Sequence, residues 1–173
     1  GEEVTFVGRR LKRLDNAIAF FGLDGYYNKI LEPLRLQRSK AANTTGPKNS
    51  TTATIAEALN ADDHALLRST VGKLLWLIPI RPDIAYALSV LSRFMAKPEL
   101  HHFKAAHYLL RYLKGTAHIG LRYDRTEILR SFNELQNILS GAVDSSFADC
   151  SLSARSTSGF VLWYGGCALE WEC

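Results

Sequence analysis

Arg81-Pro82-Asp83-Ile84-Ala85-Tyr86, then Val90-Leu91-Ser92-Arg93-Phe94-Met95, then Leu110-Arg111-Tyr112-Leu113-Lys114-Gly115-Thr116 are the segments from which the fold of this chain is read. Pro82 suits the first turn of a helix, where its missing N–H is not needed, and Asp83 sets a negative charge beside the positive helix end. Ile84, Leu88, Leu91 and Met95 then line one helical face. The next helix is expected from about Pro98 to Lys114, with Phe103, Ala106, Leu110 and Leu113 inward and Gly115 ending it as a C-cap. Upstream, a helix is expected from Asp62 or Asp63 to about Ile78, where Pro79 stops it. Leu66, Leu67, Val71, Leu74, Leu75 and Ile78 form its apolar stripe. The three helices are expected to pack as a small bundle.

Moving outward, residues 39–54 are rich in Ser, Thr, Asn and Lys and contain Gly46-Pro47, which marks a surface loop or linker. Before it, Asp24 is positioned to cap a short helix through Leu31, with Tyr27, Ile30 and Leu31 on one face and Pro33 near its end. Residues 4–13 and 17–21 alternate around Asp15-Asn16 and predict a β-hairpin. Beyond the bundle, Ile128, Leu129, Phe132, Leu135 and Ile138 suggest a short helix over 126–138. Residues 139–148, 158–164 and 167–172 predict three strands, with Gly165-Gly166 as a tight turn. The expected class is α+β: an N-terminal β-hairpin and helix (1–38), a linker (39–61), a central helical bundle (62–138) and a C-terminal three-stranded sheet (139–173).

With 173 residues, 47% of them hydrophobic, the chain can bury one large core or two small ones. The longest apolar stretch, Leu74 to Ile80, is too short to span a bilayer, so no membrane partner is expected. No charged-then-apolar leader is recognisable, and the chain opens on Gly1 rather than Met, as a fragment or processed product would. Cys150, Cys167 and Cys173 form no Cys-x-x-Cys pair and are read as reduced thiols in a reducing intracellular compartment, with no zinc site. The net charge of +4 is uneven. Up to Lys48 there are nine Lys/Arg against five Asp/Glu, and from Asn49 onward twelve of each. Arg9, Arg10, Lys12, Arg13, Arg35, Arg38, Lys40 and Lys48 hold the surplus, either as a solvated basic face or as a surface for a polyanion such as RNA.

These segments, with others in the same order, resemble the Pol polyprotein of copia-type LTR retrotransposons, from the end of the reverse transcriptase palm into ribonuclease H. Phe6-Val7-Gly8 resembles the family's Phe-Leu-Gly after the polymerase hairpin, and Tyr27, Ile30 and Leu31 fall on its Tyr-Ile-x-x-Leu-Leu helix. Ser69-Thr70-Val71-Gly72-Lys73-Leu74-Leu75-Trp76-Leu77 resembles its Ser-Leu-Val-Gly-Ser-Leu-Leu-Tyr-Leu. Arg155-Ser156-Thr157-Ser158-Gly159-Phe160-Val161, Gly165-Gly166 and Leu169-Glu170-Trp171 resemble the opening strands of its ribonuclease H. The resemblance thus implies a thumb- and connection-like helical region followed by a partial ribonuclease H-like sheet.

The resemblance also bears on chemistry. The family's polymerase Asp-Asp pair precedes its Phe-Leu-Gly segment and so lies outside this sequence. Asp144-Ser145-Ser146-Phe147-Ala148 falls on its Asp-Ala-Asp-Trp-Ala, which makes Asp144 a vestigial first ribonuclease H carboxylate and replaces the second Asp by Ser146. Asp149, Glu170 and Glu172 do not match ligand positions. Two-metal phosphoryl transfer needs several clustered carboxylates, so no catalytic activity and no cofactor are expected. Magnesium enters only if the chain is part of an active polyprotein. His101, His102 and His107 lack the i, i+4 spacing of a helical metal pair and are expected to be exposed or capping. Ser156, Thr157 and Ser158 have no identifiable base nearby.

Tyr108, Arg111, Tyr112, Lys114 and Arg122 interleave rings and cations. Either Arg111 and Lys114 meet phosphates and the tyrosines stack on bases, as the thumb-like resemblance implies, or the tyrosines pack in the bundle and the cations face solvent. His107 and Tyr108 stand where the family often has Lys-Arg. Trp76, Trp163 and Trp171 are read as core residues, with an interface role as the alternative. The expected function is a non-catalytic, retrotransposon-derived RNA-binding or scaffolding subunit of a ribonucleoprotein, for instance an organellar ribosome in the mitochondrion. Its partners would be RNA and other protein subunits, with no small-molecule substrate. The alternative is a fragment of an active reverse transcriptase–ribonuclease H polyprotein.

Overall fold

The computed structural model describes residues 2–46, 57–133, 138–147 and 156–173. The chain is α+β and forms two compact units. The helical unit comprises Val7–Arg9 and Phe21–Gly120; the sheet unit comprises Gly1–Phe6, Arg10–Phe20 and Leu121–Cys173.

Four helices build the helical unit: α1 (Asp24–Leu31), α2 (Ala61–Leu75), α3 (Ala85–Arg93) and α4 (Leu100–Gly115). Tyr27, Ile30 and Leu31 are the buried residues of α1, as their spacing predicts. Asp24 is not its cap, however. Leu23 holds the N-cap position without a side-chain bond, and Asp24 lies in the first turn, where its charge suits the helix dipole. The α2 helix begins one turn after the described loop residue Glu57, capped by Asn60, whose Oδ1 accepts the Asp63 N–H at 2.8 Å. It ends at Leu75 rather than Ile78, and a 3-10 turn, Ile78–Ile80, holds Pro79. Leu67, Thr70, Val71 and Leu74 face inward, but Leu75 turns out to solvent. Trp76 is also exposed, not core as expected. Pro82 starts a 3-10 turn, Pro82–Ile84, from which α3 continues.

The α4 helix opens at Leu100, two residues later than expected, with a reciprocal capping box between Glu99 and His102. Gly115 is the last helical residue rather than a left-handed C-cap, and Thr116 takes the cap position. Gly115 serves another purpose: a Cβ there would lie 2.8 Å from the Ala41 Cβ, so its bare backbone admits the 40s segment. Ile84, Leu88, Leu91, Leu109, Leu110 and Leu113 interlock with α2 as the bundle core. Tyr26 donates to the Lys73 carbonyl at 2.8 Å and fastens α1 to α2.

In the sheet unit, the expected long first strand is cut in two. Val7 and Gly8 both have positive φ, so β1 (Glu3–Phe6) turns into β2 (Arg9–Arg13). The predicted turn at Asp15-Asn16 leads to β3 (Ala17–Gly22). A strand that the sequence reading lacks, β4 (Leu121–Asp124), pairs antiparallel with β3 and completes the sheet β1-β2-β3-β4. The α5 helix (Arg125–Asn133) covers the start of the predicted 126–138 helix; residues 134–137 of that prediction lie outside the described residues. The second sheet, β5-β6-β7 (Leu139–Ser146, Thr157–Tyr164, Cys167–Glu172), follows the predicted strands closely. Gly165 and Gly166 have φ +55 and +76, the two left-handed residues that a tight hairpin turn needs. Trp163 and Trp171 are half-buried.

Candidate nucleic-acid interface

The segment from Leu36 to Ala42 is bonded along the C-terminal half of α4. Leu36 and Ala42 are buried and anchor the segment at both ends. Between them, Lys114 Nζ donates to the Gln37 carbonyl at 2.5 Å and the Ser39 carbonyl at 2.6 Å. Arg111 Nε donates to the Lys40 carbonyl at 2.6 Å, and the Ala42 N–H returns a bond to the Arg111 carbonyl at 3.2 Å. The Arg111 guanidinium also stands 5.7 Å from the Tyr108 ring centre, and the Tyr108 hydroxyl pairs with Thr44 Oγ1 at 3.1 Å. Arg111 and Lys114 are therefore staples: their charges hold backbone carbonyls. Arg38 and Lys40 lie within the stapled stretch and Arg35 just before it, and all three are exposed. Arg35 has φ +53, a left-handed conformation that costs a non-glycine residue about 1–2 kcal/mol.

Arg9 lies over Trp76, 5.1 Å from the ring centre, and its Nη2 donates to the Trp76 carbonyl at 3.4 Å. Arg10, Lys12 and Arg13 belong to the sheet unit, where Arg10 approaches Glu3 at 3.7 Å. Lys12 and Arg13 are exposed. Arg122 pairs with Asp124 at 2.9 Å. Lys48 lies outside the described residues.

Sequence reasoning missed the role of the motif it started from. Arg81 has no exposed surface. Its Nε and Nη2 grip both Asp83 oxygens at 2.9 and 2.7 Å, and Nη1 and Nη2 donate to the Thr116 carbonyl and Oγ1 at 2.9 and 2.7 Å. Tyr112 adds a bond from its hydroxyl to Asp83 Oδ2 at 2.8 Å. The Arg-Pro-Asp motif is thus a clamp between the α2–α3 connection and the end of α4, where a cation also meets the negative end of the helix. Burial acts against the charge on both partners. Hydrogen bonds and charge from Asp83 outweigh it at Arg81, and bonds from Arg81 and Tyr112 outweigh it at Asp83, whose carboxyl is held below its ordinary range. Tyr112 is committed to this clamp. The available signal was the Arg-x-Asp spacing ahead of a helix, with a Thr just past the following one.

Asp144 sits exposed on β5, its Oδ1 accepting the Ser145 N–H at 2.9 Å. It faces Gly159, whereas Glu172 and Glu170 face Phe160 and Leu162. Paired residues share a face and neighbours along a strand alternate, so both glutamates lie on the opposite face of the sheet from Asp144. No group of three potential metal ligands occurs among the described residues. Asp149 and Cys150 lie outside them; Cys167 and Cys173 are free thiols. Of the histidines, His102 is buried, and its Nδ1 accepts the Glu99 N–H at 3.0 Å. Burial, reinforced by neighbouring His101, pushes its pKa down to about 4.

No protein-family profile matches the chain, and no solved structure matches it significantly. Curated relatives do. The retrovirus-related Pol polyprotein of transposon TNT 1-94 from Nicotiana tabacum is 29% identical over 154 residues, 85% of this chain and 11% of that polyprotein. An uncharacterised mitochondrial protein of Arabidopsis thaliana is 29% identical over 168 residues, 96% of this chain and 65% of its own length. The Pol polyprotein of transposon RE1 from the same plant is 34% identical over 110 residues, 64% of this chain and 7% of that polyprotein. The chain therefore spans a small part of the transposon polyproteins and just under two thirds of the mitochondrial protein. The alignments and the ordered motifs agree: this chain belongs to the copia-type, retrovirus-related Pol family of transposons.

Proposed function

We propose that this Pol-derived chain acts without catalysis, as an RNA-binding or scaffolding part of a ribonucleoprotein. The observation that carries the reading is the stapled segment of the helical unit. Arg111 and Lys114 hold its backbone at Gln37, Ser39 and Lys40; Arg38 and Lys40 within this stretch, and Arg35 just before it, are exposed. A prearranged row of cations binds phosphates by releasing condensed counterions, without sequence choice. In this reading the β5–β7 sheet is a ribonuclease H-like remnant and Asp144 is vestigial. The placement of Glu170 and Glu172 on the other face supports that. The mitochondrial designation of one relative supports an organellar assembly, such as a ribosome, as the setting.

The test is binding of a labelled single-stranded RNA to the purified chain across a salt series with magnesium present. Salt-sensitive binding without cleavage, weakened by Arg35→Gln/Arg38→Gln/Lys40→Gln, is expected. No affinity at low salt, or cleavage abolished by Asp144→Asn, would overturn the reading.

A further inference from the structure

The β5–β7 sheet ends on an unpartnered strand. In the order β5-β6-β7, β5 pairs with β6 on one side, and among the described residues no strand pairs with its other edge. The direction of its backbone groups follows from the ladder. The Gly165 N–H donates to the Ile138 carbonyl at 2.8 Å, in line with the β5–β6 register. Bonded residues alternate along an antiparallel strand, so Ser140, Ala142, Asp144 and Ser146 turn their backbone N–H and C=O groups toward β6. Leu139, Gly141, Val143 and Ser145 turn theirs outward. The Ser145 N–H agrees, because it donates to Asp144 Oδ1 instead of to β6.

Open edges of this kind are normally blunted by lysine, proline, a bulge or a very short strand. The β5 strand has eight residues, with Asp144 as its one charge and neither lysine nor proline. The register shift of this sheet lies between β6 and β7. Leu139 and Val143, with Phe147 just past the strand, are exposed on one face, and Phe160 and Tyr164 continue that face on β6. The edge is also self-complementary. Two antiparallel copies related by a two-fold axis through Val143 set Val143 against itself, Leu139 against Phe147 of the second copy, and Gly141 against Ser145. Apolar residues meet apolar ones, small residues meet small ones, and outward backbone groups meet outward backbone groups. Asp144 falls opposite Ala142, so the two carboxylates are diagonal neighbours. Moving the axis to Asp144 would oppose the carboxylates directly and set Phe147 against Gly141.

We propose that the β5 edge is a homodimerisation surface, at which two copies of this chain join their three-stranded sheets in the register centred on Val143. The shared edge is one strand wide, so the dimer is weak, with a dissociation constant on the order of 100 μM. Asp144 restrains the pairing, because it occupies the Ser145 N–H and sets a second carboxylate diagonally across the axis. This inference is independent of the RNA reading.

The test is sedimentation equilibrium of the full chain, kept reduced, at concentrations up to about 300 μM. The mass is expected to rise from 19.3 kDa toward twice that value as concentration increases. Val143→Lys, which places two ammonium groups at the axis, should hold the chain monomeric. Asp144→Ala should lower the dissociation constant several-fold, and because the two changes act in opposite directions, a folding defect in one does not decide the result. On a Cys150→Ser/Cys167→Ser/Cys173→Ser background, Val143→Cys should oxidise to a linked dimer, since hydrogen-bonded strand partners have Cα atoms about 5.5 Å apart. Ala142→Cys, whose partner is Asp144, should not. A monomer at every concentration overturns the proposal, as does a dimer that Val143→Lys leaves intact.

Discussion

Ile84, Leu88 and Leu109 in the helical unit have no exposed surface, whereas Val143 and Phe147 in the sheet unit are 80% and 93% exposed. Among the described residues, the buried apolar side chains outside the helical unit are Ala17, Ala19 and Cys167, all small. The difference follows from geometry. A helix buries one stripe, and three helices around a common axis satisfy each other's stripes. A short sheet has two faces, and its strands need a further layer to be stable alone. The helical unit also encloses a complete polar clamp, while the titratable groups of β5 stay in water. Stability is therefore expected to reside in the helical unit.

The sharpest way to break this comparison is Arg81→Met. It leaves the partly exposed Asp83 carboxylate with Tyr112 alone and strips the Thr116 carbonyl and hydroxyl of their donors, and each buried acceptor left unpaired costs about 1–3 kcal/mol. Denaturant unfolding followed by circular dichroism should show this loss, and a shift below 1 kcal/mol would mean the clamp is dispensable. A paired comparison follows. Leu109→Ala should cost about 2–5 kcal/mol as a core cavity, while Val143→Ala in the sheet unit should stay within about 0.5 kcal/mol. Equal effects would show that β5 is buried in solution.

Gly165→Ala is expected to be the most damaging small change in the sheet unit. Its φ of +55 is strained for alanine, by about 1–2 kcal/mol, and its Cβ would come within 3.0 Å of the Ile128 Cα. Faster hydrogen exchange confined to β6 and β7 would register it; exchange spreading into α4 would join the two units energetically. The smallest effect concerns pH. An unfolded histidine titrates near ~6.5, but folded His102 waits until about 4. The unfolded state thus takes up the proton first, so the His102 contribution is complete above about 6.5 and is lost as pH falls from there through about 4. His102→Gln, which keeps a side chain able to accept at the capping box, should flatten the melting temperature over that window and leave it little changed at neutral pH.

The helices were legible because their signals are local. Tyr27, Ile30 and Leu31, or Ala106, Leu110 and Leu113, repeat at a period that only one secondary structure satisfies. The Gly165-Gly166 turn was legible for the same reason, since both positions require left-handed backbone. The readings that failed depend on distant partners. Nothing within Leu121–Asp124 says that it pairs with Ala17–Phe20, and nothing around Trp76 says that Arg9 will lie over its exposed ring. Gly115 read as a helix stop because its neighbour across space, Ala41, is far away in sequence.

At the candidate interface the division runs the same way. Composition located the surplus charge before Lys48, and residue type singled out Arg111 and Lys114. Which cations are spent and which remain outward depended on backbone carbonyls more than 70 residues away in sequence, as with Arg111 and Lys40. The sequence by itself determined the family, the helix periods and the α+β class, because order of motifs and periodicity are one-dimensional properties. The buried Arg81 clamp and the stapled basic segment were decided only by tertiary structure, because a cation's role is set by the acceptors that packing brings within about 3 Å of it.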